Sequence, residues 1–476
     1  MVFSSIEFLL FFLPIFLIIY SITPKRIKNM TLLSGSLIFY AYGELKFLPL
    51  LLLSIVMNYF FGLHLGRREQ YRTEQANAET GIESRLRTNK VKAKLNKRRR
   101  IVFLVAIAYN VGMLAAFKYV RGGAYLPLGI SFYTFQMLSY LIDVYRGDQR
   151  KELSFLRFAT YISMFPQLLS GPIVHYAKVR KEIISREFTA KGLQEGLKVF
   201  TLGLAAKVLL ADRVGLLWQE VQVTGFESIS TPLAWLAAIA YSLKIYFDFY
   251  GYSLMAMGLG RMLGFTLPEN FRHPYMATSV RDFYRRWHMT LGRWFREYVY
   301  IPLGGNRRGE YRTVCHLLAV WLLTSVWHGS TANFLVWGCL LWLAIVTERQ
   351  LEALGVTRIL DKVPGKIFSR LYVWAYIPVT WVCFAITDME QLQVFLGRMF
   401  HVSPGIRVAQ GDWHKALMNY GLLFFAGAIA STPLLRKLFE RFQNNWILMA
   451  LLAALFWVCV WRLQMEGQNP FMYLNF

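Results

Sequence analysis

The chain has 476 residues, 55% of them apolar and 16% aromatic, and its mean hydropathy is positive. This composition excludes a soluble globule, and separate apolar runs of about twenty residues, long enough to cross the hydrocarbon core as helices, exclude a β-barrel of short alternating strands. The formal charge of +25 lies mainly in short segments between those runs, a placement that orients a protein in a membrane and does not mark it for nucleic acid.

The first residues, Met1-Val2-Phe3-Ser4-Ser5-Ile6-Glu7, lack the basic region of a secretory signal, and the apolar run after them has no small-residue cleavage site. Residues 6–22 are therefore expected to be a retained first helix. Lys25, Arg26 and Lys28 follow it, so the positive-inside rule puts this loop in the cytoplasm and the N-terminus outside. Spans at 30–42 and 47–65 lead to residues 66–100, which carry twelve Lys or Arg against four Glu. The count of spans makes this basic loop cytoplasmic as well. With only Tyr71 to stack on a base, it reads as a solvated, partly helical topogenic segment.

A fourth span at 101–119 is followed by Leu126-Pro127-Leu128-Gly129-Ile130-Ser131-Phe132-Tyr133-Thr134-Phe135-Gln136. Proline, glycine, serine and glutamine at membrane depth imply an interior-facing segment, with Gln136 a candidate to touch substrate. Residues 158–176 contain Phe165-Pro166-Gln167 and Ser170-Gly171-Pro172 and predict a broken or re-entrant helix. Residues 192–210, with Glu195, Lys198 and Lys207, suit an amphipathic helix against the bundle. Residues 233–265 are long enough for two helices and hold Asp248, a buried carboxylate more readily explained by an ion pair with an arginine or a lysine such as Lys244 than by catalysis. Further spans at 332–346, 371–387, 418–430 and 446–462 bring the total to about eleven, plus partial segments. No internal repeat, linker or soluble domain interrupts residues 1–476, so a single all-α integral membrane domain is expected.

The densest chemistry lies in residues 279–330. His288 sits in Arg285-Arg286-Trp287-His288, and His328 in Trp327-His328-Gly329 at the end of an apolar run. Between them Pro302-Leu303-Gly304-Gly305-Asn306-Arg307 makes a bend. An ionisable residue in a membrane-length segment is costly and by default faces a cavity or pathway, which makes His328 a candidate general base acting on a hydroxyl. A histidine bonded to a neighbouring helix or to water is the competing reading. His288, among Arg281, Arg285, Arg286, Arg293 and Arg296, also fits an interfacial helix that meets anionic headgroups. Cys315, Cys339, Cys383 and Cys459 are widely spaced without a CxxC pair, so neither a disulfide framework nor a metal site is implied. Gly-x-Ser-x-Gly, the P-loop and His-Glu-x-x-His are all absent. The remaining parts suit direct acyl transfer, in which a base deprotonates a hydroxyl and phosphate-rich donor groups meet cations.

The motifs Pro127-Leu128-Gly129-Ile130-Ser131-Phe132-Tyr133, Tyr140-Leu141-Ile142-Asp143-Val144-Tyr145-Arg146-Gly147, Tyr246-Phe247-Asp248-Phe249, Asp282-Phe283-Tyr284-Arg285-Arg286-Trp287-His288, Leu303-Gly304-Gly305-Asn306-Arg307 and Trp327-His328-Gly329 occur in this order. With them go the opening Met-Val-Phe-Ser-Ser and the aromatic tail from Asn469 to Phe476. Together they make the chain resemble the membrane-bound O-acyltransferases, above all the bacterial branch that O-acetylates alginate. The resemblance implies helices around a central tunnel, a multi-pass protein of the bacterial inner membrane, and catalytic roles for His328 and for His288 as the second active-site position. It also implies substrate contacts from Trp327, Gln136, Asp248, Arg285, Arg286 and Asn306. No bound cofactor is expected: acetyl-CoA is the expected acyl donor, with an extracytoplasmic acetyltransferase partner and an exopolysaccharide on the accepting side. In that scheme His328 is the base, while His288 orients a substrate or donates to the developing oxyanion. D-alanyl transfer to an envelope polymer, a transporter with a histidine proton relay and a structural subunit of a secretion complex are the alternatives.

Overall fold

The computed structural model describes residues 2–66, 82–120, 126–169, 171–355, 363–402 and 411–466, and every regular element among them is helical. They form two compact units. One is Met1–Gly196 with Leu259–Leu267, and the other is Leu197–Gly258 with the described residues from Pro268 onward.

The first unit holds α1 (Leu13–Ile22), α2 (Lys28–Glu44), α3 (Leu48–Leu65), α4 (Ile82–Ala115), α5 (Ile130–Arg146), α6 (Phe155–Ser163) and α7 (Tyr176–Ile184). Phe8, Phe12 and Phe16 recur every fourth residue through the wide turn Glu7–Phe12 into α1, so their rings share a face. Phe12 and Phe16 stack at 5.7 Å, and Phe165 meets both edge-on. Gly35 of α2 makes room for this cluster, since a Cβ there would lie 2.3 Å from the Phe16 ring. The basic stretch after α3 enters α4 at Ile82, its residues being mostly good helix formers; residues 67–81 lie outside the described part, as does the aromatic tail.

The break expected after residue 158 is present. α6 stops at Ser163, Met164 is extended, and Pro166 opens a four-residue turn, Phe165–Leu168, where its missing N–H costs nothing. Gln136 is buried on α5, and neither end of its amide has a hydrogen-bond partner among the described residues.

Most of α8 (Ala190–Ala205) belongs to the second unit. It is followed there by α9 (Asp212–Thr224), α10 (Thr231–Met262), α11 (Val280–Arg286), α12 (Met289–Phe295), α13 (Glu310–His328), α14 (Ala332–Ala353), α15 (Val363–Ala385), α16 (Met389–Met399), α17 (Asp412–Ala430), α18 (Leu434–Phe442) and α19 (Trp446–Glu466). Where two helices were expected over residues 233–265, α10 is one unbroken helix of 32 residues. Gly251 is spent on packing and leaves the helix intact: a Cβ on it would meet the Gly203 carbonyl oxygen of α8 at 2.6 Å, and one on Gly203 would meet that of Gly251 at 2.5 Å. A π turn, Ala206–Ala211, then brings Lys207 between Asp212 and Asp248, 2.9 Å from Asp248. Asp248 is thus a buried structural acid paired across helices with Lys207, and Lys244 is not its ion-pair partner.

Among the described residues, five helical stretches, 25–65, 95–120, 332–353, 364–385 and 446–465, have the length and hydropathy of membrane spans, and α17 with α18, bent by 67°, would make a sixth. The other helices among the expected eleven are shorter, or carry the tyrosines and charges that interior positions hold. Replacing Lys207 with methionine would remove the cation between a buried and a half-buried carboxylate. We expect Lys207→Met to lose about 3–5 kcal/mol of stability, read as an earlier unfolding transition in detergent, whereas Lys244→Met should lose much less.

Candidate active site

α11 is tied down at its start. The Ser279 hydroxyl accepts from the Asp282 N–H at 3.0 Å, and Glu348 of α14 accepts from the N–H groups of Val280 and Arg281 at 2.6 and 3.0 Å, a carboxylate where the helix leaves donors unpaired. α11 ends at Arg286, Trp287 is extended, and His288 adopts the left-handed conformation, φ 43°, before α12 begins. That backbone costs a non-glycine residue about 1–2 kcal/mol. It is held by pairing with the preceding loop: Met289 N–H donates to the Asn270 carbonyl and Arg272 N–H to the Arg286 carbonyl, both at 2.9 Å. The imidazole Nδ1 of His288 lies 3.0 Å from the side-chain oxygen of Asn270, and Phe249 meets the ring edge-on at 4.6 Å.

His328 is the last residue of α13. Its ring is enclosed by Trp327, Trp337, Phe384 and Phe334, with centroids 4.5, 5.1, 5.0 and 6.2 Å away. Two glycines permit this. A Cβ on Gly329 would lie 2.2 Å from the Phe334 ring, and one on Gly338 only 1.9 Å from the Ser325 hydroxyl, where α13 and α14 cross. Asn333 then fastens α14 to the end of α15 by donating to the carbonyls of Cys383 and Phe384 at 3.0 and 3.2 Å.

Both histidines, forty residues apart, line one cavity of about 780 Å³ in the second unit. Its walls include Trp287, Trp321, Trp337 and Trp381, and five arginines, Arg281, Arg285, Arg293, Arg296 and Arg349. Arg281 is paired with Glu352 and Arg349 with Glu310, both at 2.6 Å. Arg285, Arg293 and Arg296 have no ion-pair partner among the described residues. The indole N–H of Trp337 is buried and has no acceptor among the described residues.

The remaining residues singled out from the sequence lie elsewhere. Trp327 is buried against His328 but is not part of the cavity wall. Arg286 is paired with Asp282 at 2.9 Å, Asn306 is exposed in the bend after α12, Asp248 is held by Lys207, and Gln136 belongs to the first unit. Sequence reasoning missed Asn270, Ser253 and Thr290 around His288 and the Trp337–Phe384 wall around His328. Asn270 sits eighteen positions before its histidine, in an irregular segment where no periodicity links the two.

A family model, described as MBOAT, membrane-bound O-acyltransferase family, matches residues 147–386, which contain both histidines and every residue of the cavity wall. The chain is also 32% identical to a protein named probable alginate O-acetylase AlgI from Pseudomonas putida, over the whole of both chains. The chain belongs to the membrane-bound O-acyltransferase family. It is thus a multi-pass membrane acyltransferase. A peptidoglycan O-acetyltransferase of Helicobacter pylori is 32% identical, over 83% of this chain and 79% of that one. A teichoic acid D-alanyltransferase of Bacillus subtilis is 28% identical, over 44% of this chain and 56% of that one.

The crossing at Gly338 sets where His328 stands in this acyltransferase. Gly338→Val should force α14 away from Ser325 and cost about 1–3 kcal/mol, seen as a lower unfolding temperature in detergent. An unchanged unfolding temperature would show that the crossing is looser than the contact distances imply.

Proposed function

We propose that the protein transfers acetyl groups from acetyl-CoA, a cytosolic thioester, for O-acetylation of an extracytoplasmic polysaccharide such as alginate, acting with an extracytoplasmic acetyltransferase partner from the bacterial inner membrane. The observation that carries the reading is one cavity lined by two imidazoles and by three arginines that have no carboxylate partner among the described residues. His328 is the general base. It takes the proton of an acceptor hydroxyl as that oxygen bonds to the thioester carbonyl carbon, forming a tetrahedral oxyanion. The indole N–H of Trp337 is an available donor to that oxyanion. Collapse breaks the C–S bond, the leaving thiolate receives the proton from His328, and the acceptor oxygen carries the new ester. His288 orients the hydroxyl. Arg285, Arg293 and Arg296 meet the donor's phosphates, where charge-assisted bonds to guanidinium are strong.

The kinship with alginate and peptidoglycan O-acetylating enzymes supports an acetyl group and a polymer. The partial kinship with teichoic acid D-alanyltransferases supports a second reading, D-alanyl transfer from a carrier-protein thioester. Purified protein that consumes acetyl-CoA without any carrier protein would decide against that second reading.

His328→Ala protein should insert and accumulate normally, while surface polysaccharide from cells carrying it lacks ester-linked acetate. Full acetylation in that strain would overturn the assignment. Arg285→Gln combined with Arg293→Gln should raise the apparent KM for acetyl-CoA about tenfold or more, since a hydrogen bond to a charged group contributes about 1.5–3 kcal/mol, and should leave the KM for a non-nucleotide acetyl thioester nearly unchanged.

A further inference from the structure

The proton positions on His288 follow from its neighbours. The side-chain oxygen of Asn270 lies 3.3 Å from the backbone N–H of Thr290, 2.9 Å from the Thr290 hydroxyl and 3.0 Å from Nδ1 of His288, while the Asn270 amide nitrogen donates to the Ser253 hydroxyl at 3.1 Å. A backbone N–H can only donate, so the atom facing Thr290 must be the amide oxygen. An oxygen there can only accept, so Nδ1 of His288 must carry the hydrogen. In neutral imidazole the other nitrogen, Nε2, then holds the lone pair. Nε2 is buried and has no hydrogen-bond partner among the described residues, on a side chain that lines the cavity. A buried acceptor left without a donor is costly, and a substrate hydroxyl would relieve that cost.

We infer that Asn270, held by Ser253 and the Thr290 backbone, is a positioning residue that locks His288 in the Nδ1–H form, so that its Nε2 accepts a hydrogen bond from the acceptor hydroxyl and does not donate to the oxyanion. The inference rests on the acyl-transfer reading of this cavity and specifies what the second histidine does there. It reverses one of the two roles that the family resemblance offered for His288. The lone pair orients the hydroxyl through its own O–H, and the oxyanion needs donors from elsewhere on the wall.

The test combines ring-nitrogen NMR with acetyl transfer. In the full chain reconstituted in lipid nanodiscs with ¹⁵N-labelled histidine, the His288 signals are identified by their loss in His288→Gln. They should show hydrogen on Nδ1 and a bare Nε2. In Asn270→Leu the His288 ring should populate the other tautomer, and ester-linked acetate on the polysaccharide should fall about tenfold or more, the scale on which removing an orienting partner is felt. Asn270→Asp, which still accepts from Nδ1–H and from Thr290, should restore the Nδ1–H signal and recover part of the loss, its added charge opposing the rest; a general packing defect would not be rescued this way. Hydrogen on Nε2 in the unaltered protein overturns the inference, even if Asn270→Leu does not fold. So does an Asn270→Leu protein with unchanged ring signals and unchanged acetylation. Should His288→Gln transfer acetate at the normal rate, the acyl-transfer role of His288 fails separately, while the nitrogen signals still decide the tautomer.

Discussion

The placement of His328 depends on how closely α13 and α14 approach each other. With hydrogen in place of a side chain at Gly338, Ser325 sits against the α14 backbone, and no larger residue fits that gap. The crossing brings Phe334 and Trp337 beside the imidazole, and the Asn333 bonds to the last carbonyls of α15 add Phe384 as a further wall. Three helices therefore fix a ring that one helix alone would leave free to change rotamer. A site on rigid elements whose rotamers are locked by packing holds the sub-ångström geometry that transfer chemistry needs.

His288 is held in a different way. Helices end on both sides of it, and its position comes from two backbone hydrogen bonds to the 270–272 segment, a left-handed residue and a side-chain network. The network is stiff because each atom has a defined role: Ser253 accepts, the Asn270 nitrogen donates, the Asn270 oxygen accepts. The arginines around it divide likewise. Glu352 and Glu310 neutralise Arg281 and Arg349, while Arg285, Arg293 and Arg296 on the cavity wall have no carboxylate partner among the described residues.

Much of this was legible in the sequence, and the limits have physical causes. A histidine ending an apolar run, a second one among arginines, and Phe165-Pro166-Gln167 as a helix break can each be read from local composition. Partnership between distant segments cannot. Asp248 and Lys244 stand four apart on α10, the spacing at which helix neighbours meet, yet Asp248 pairs with Lys207. The π turn at Ala206–Ala211 inserts an extra residue into a turn and changes the face on which Lys207 emerges, and such turns leave no mark in a periodicity of 3.6. Gly251 likewise serves as a flat contact for Gly203, a role that only the packing of α8 against α10 reveals. The link from Asn270 to His288 depends on a left-handed backbone at His288 that a glycine would advertise far more plainly than a histidine does.

The choice of an amide at position 270 has a consequence for the chemistry of the cavity. A carboxylate there would form a stronger, charge-assisted bond to Nδ1–H, but it would also place a negative charge in a buried setting with Asn270 only 1% exposed, where desolvation is expensive. It would stand near the cavity that the arginines make attractive to phosphates and would compete for their field. The amide orients the ring through dipoles alone. Ser253, Asn270, Thr290 and neutral His288 thus add no net charge around the acceptor hydroxyl, and the positive wall can act undiminished on the donor. On the proposed acyl-transfer reading, one cavity serves two substrates of opposite character, an uncharged alcohol held by directional hydrogen bonds and a polyanionic thioester held by charge.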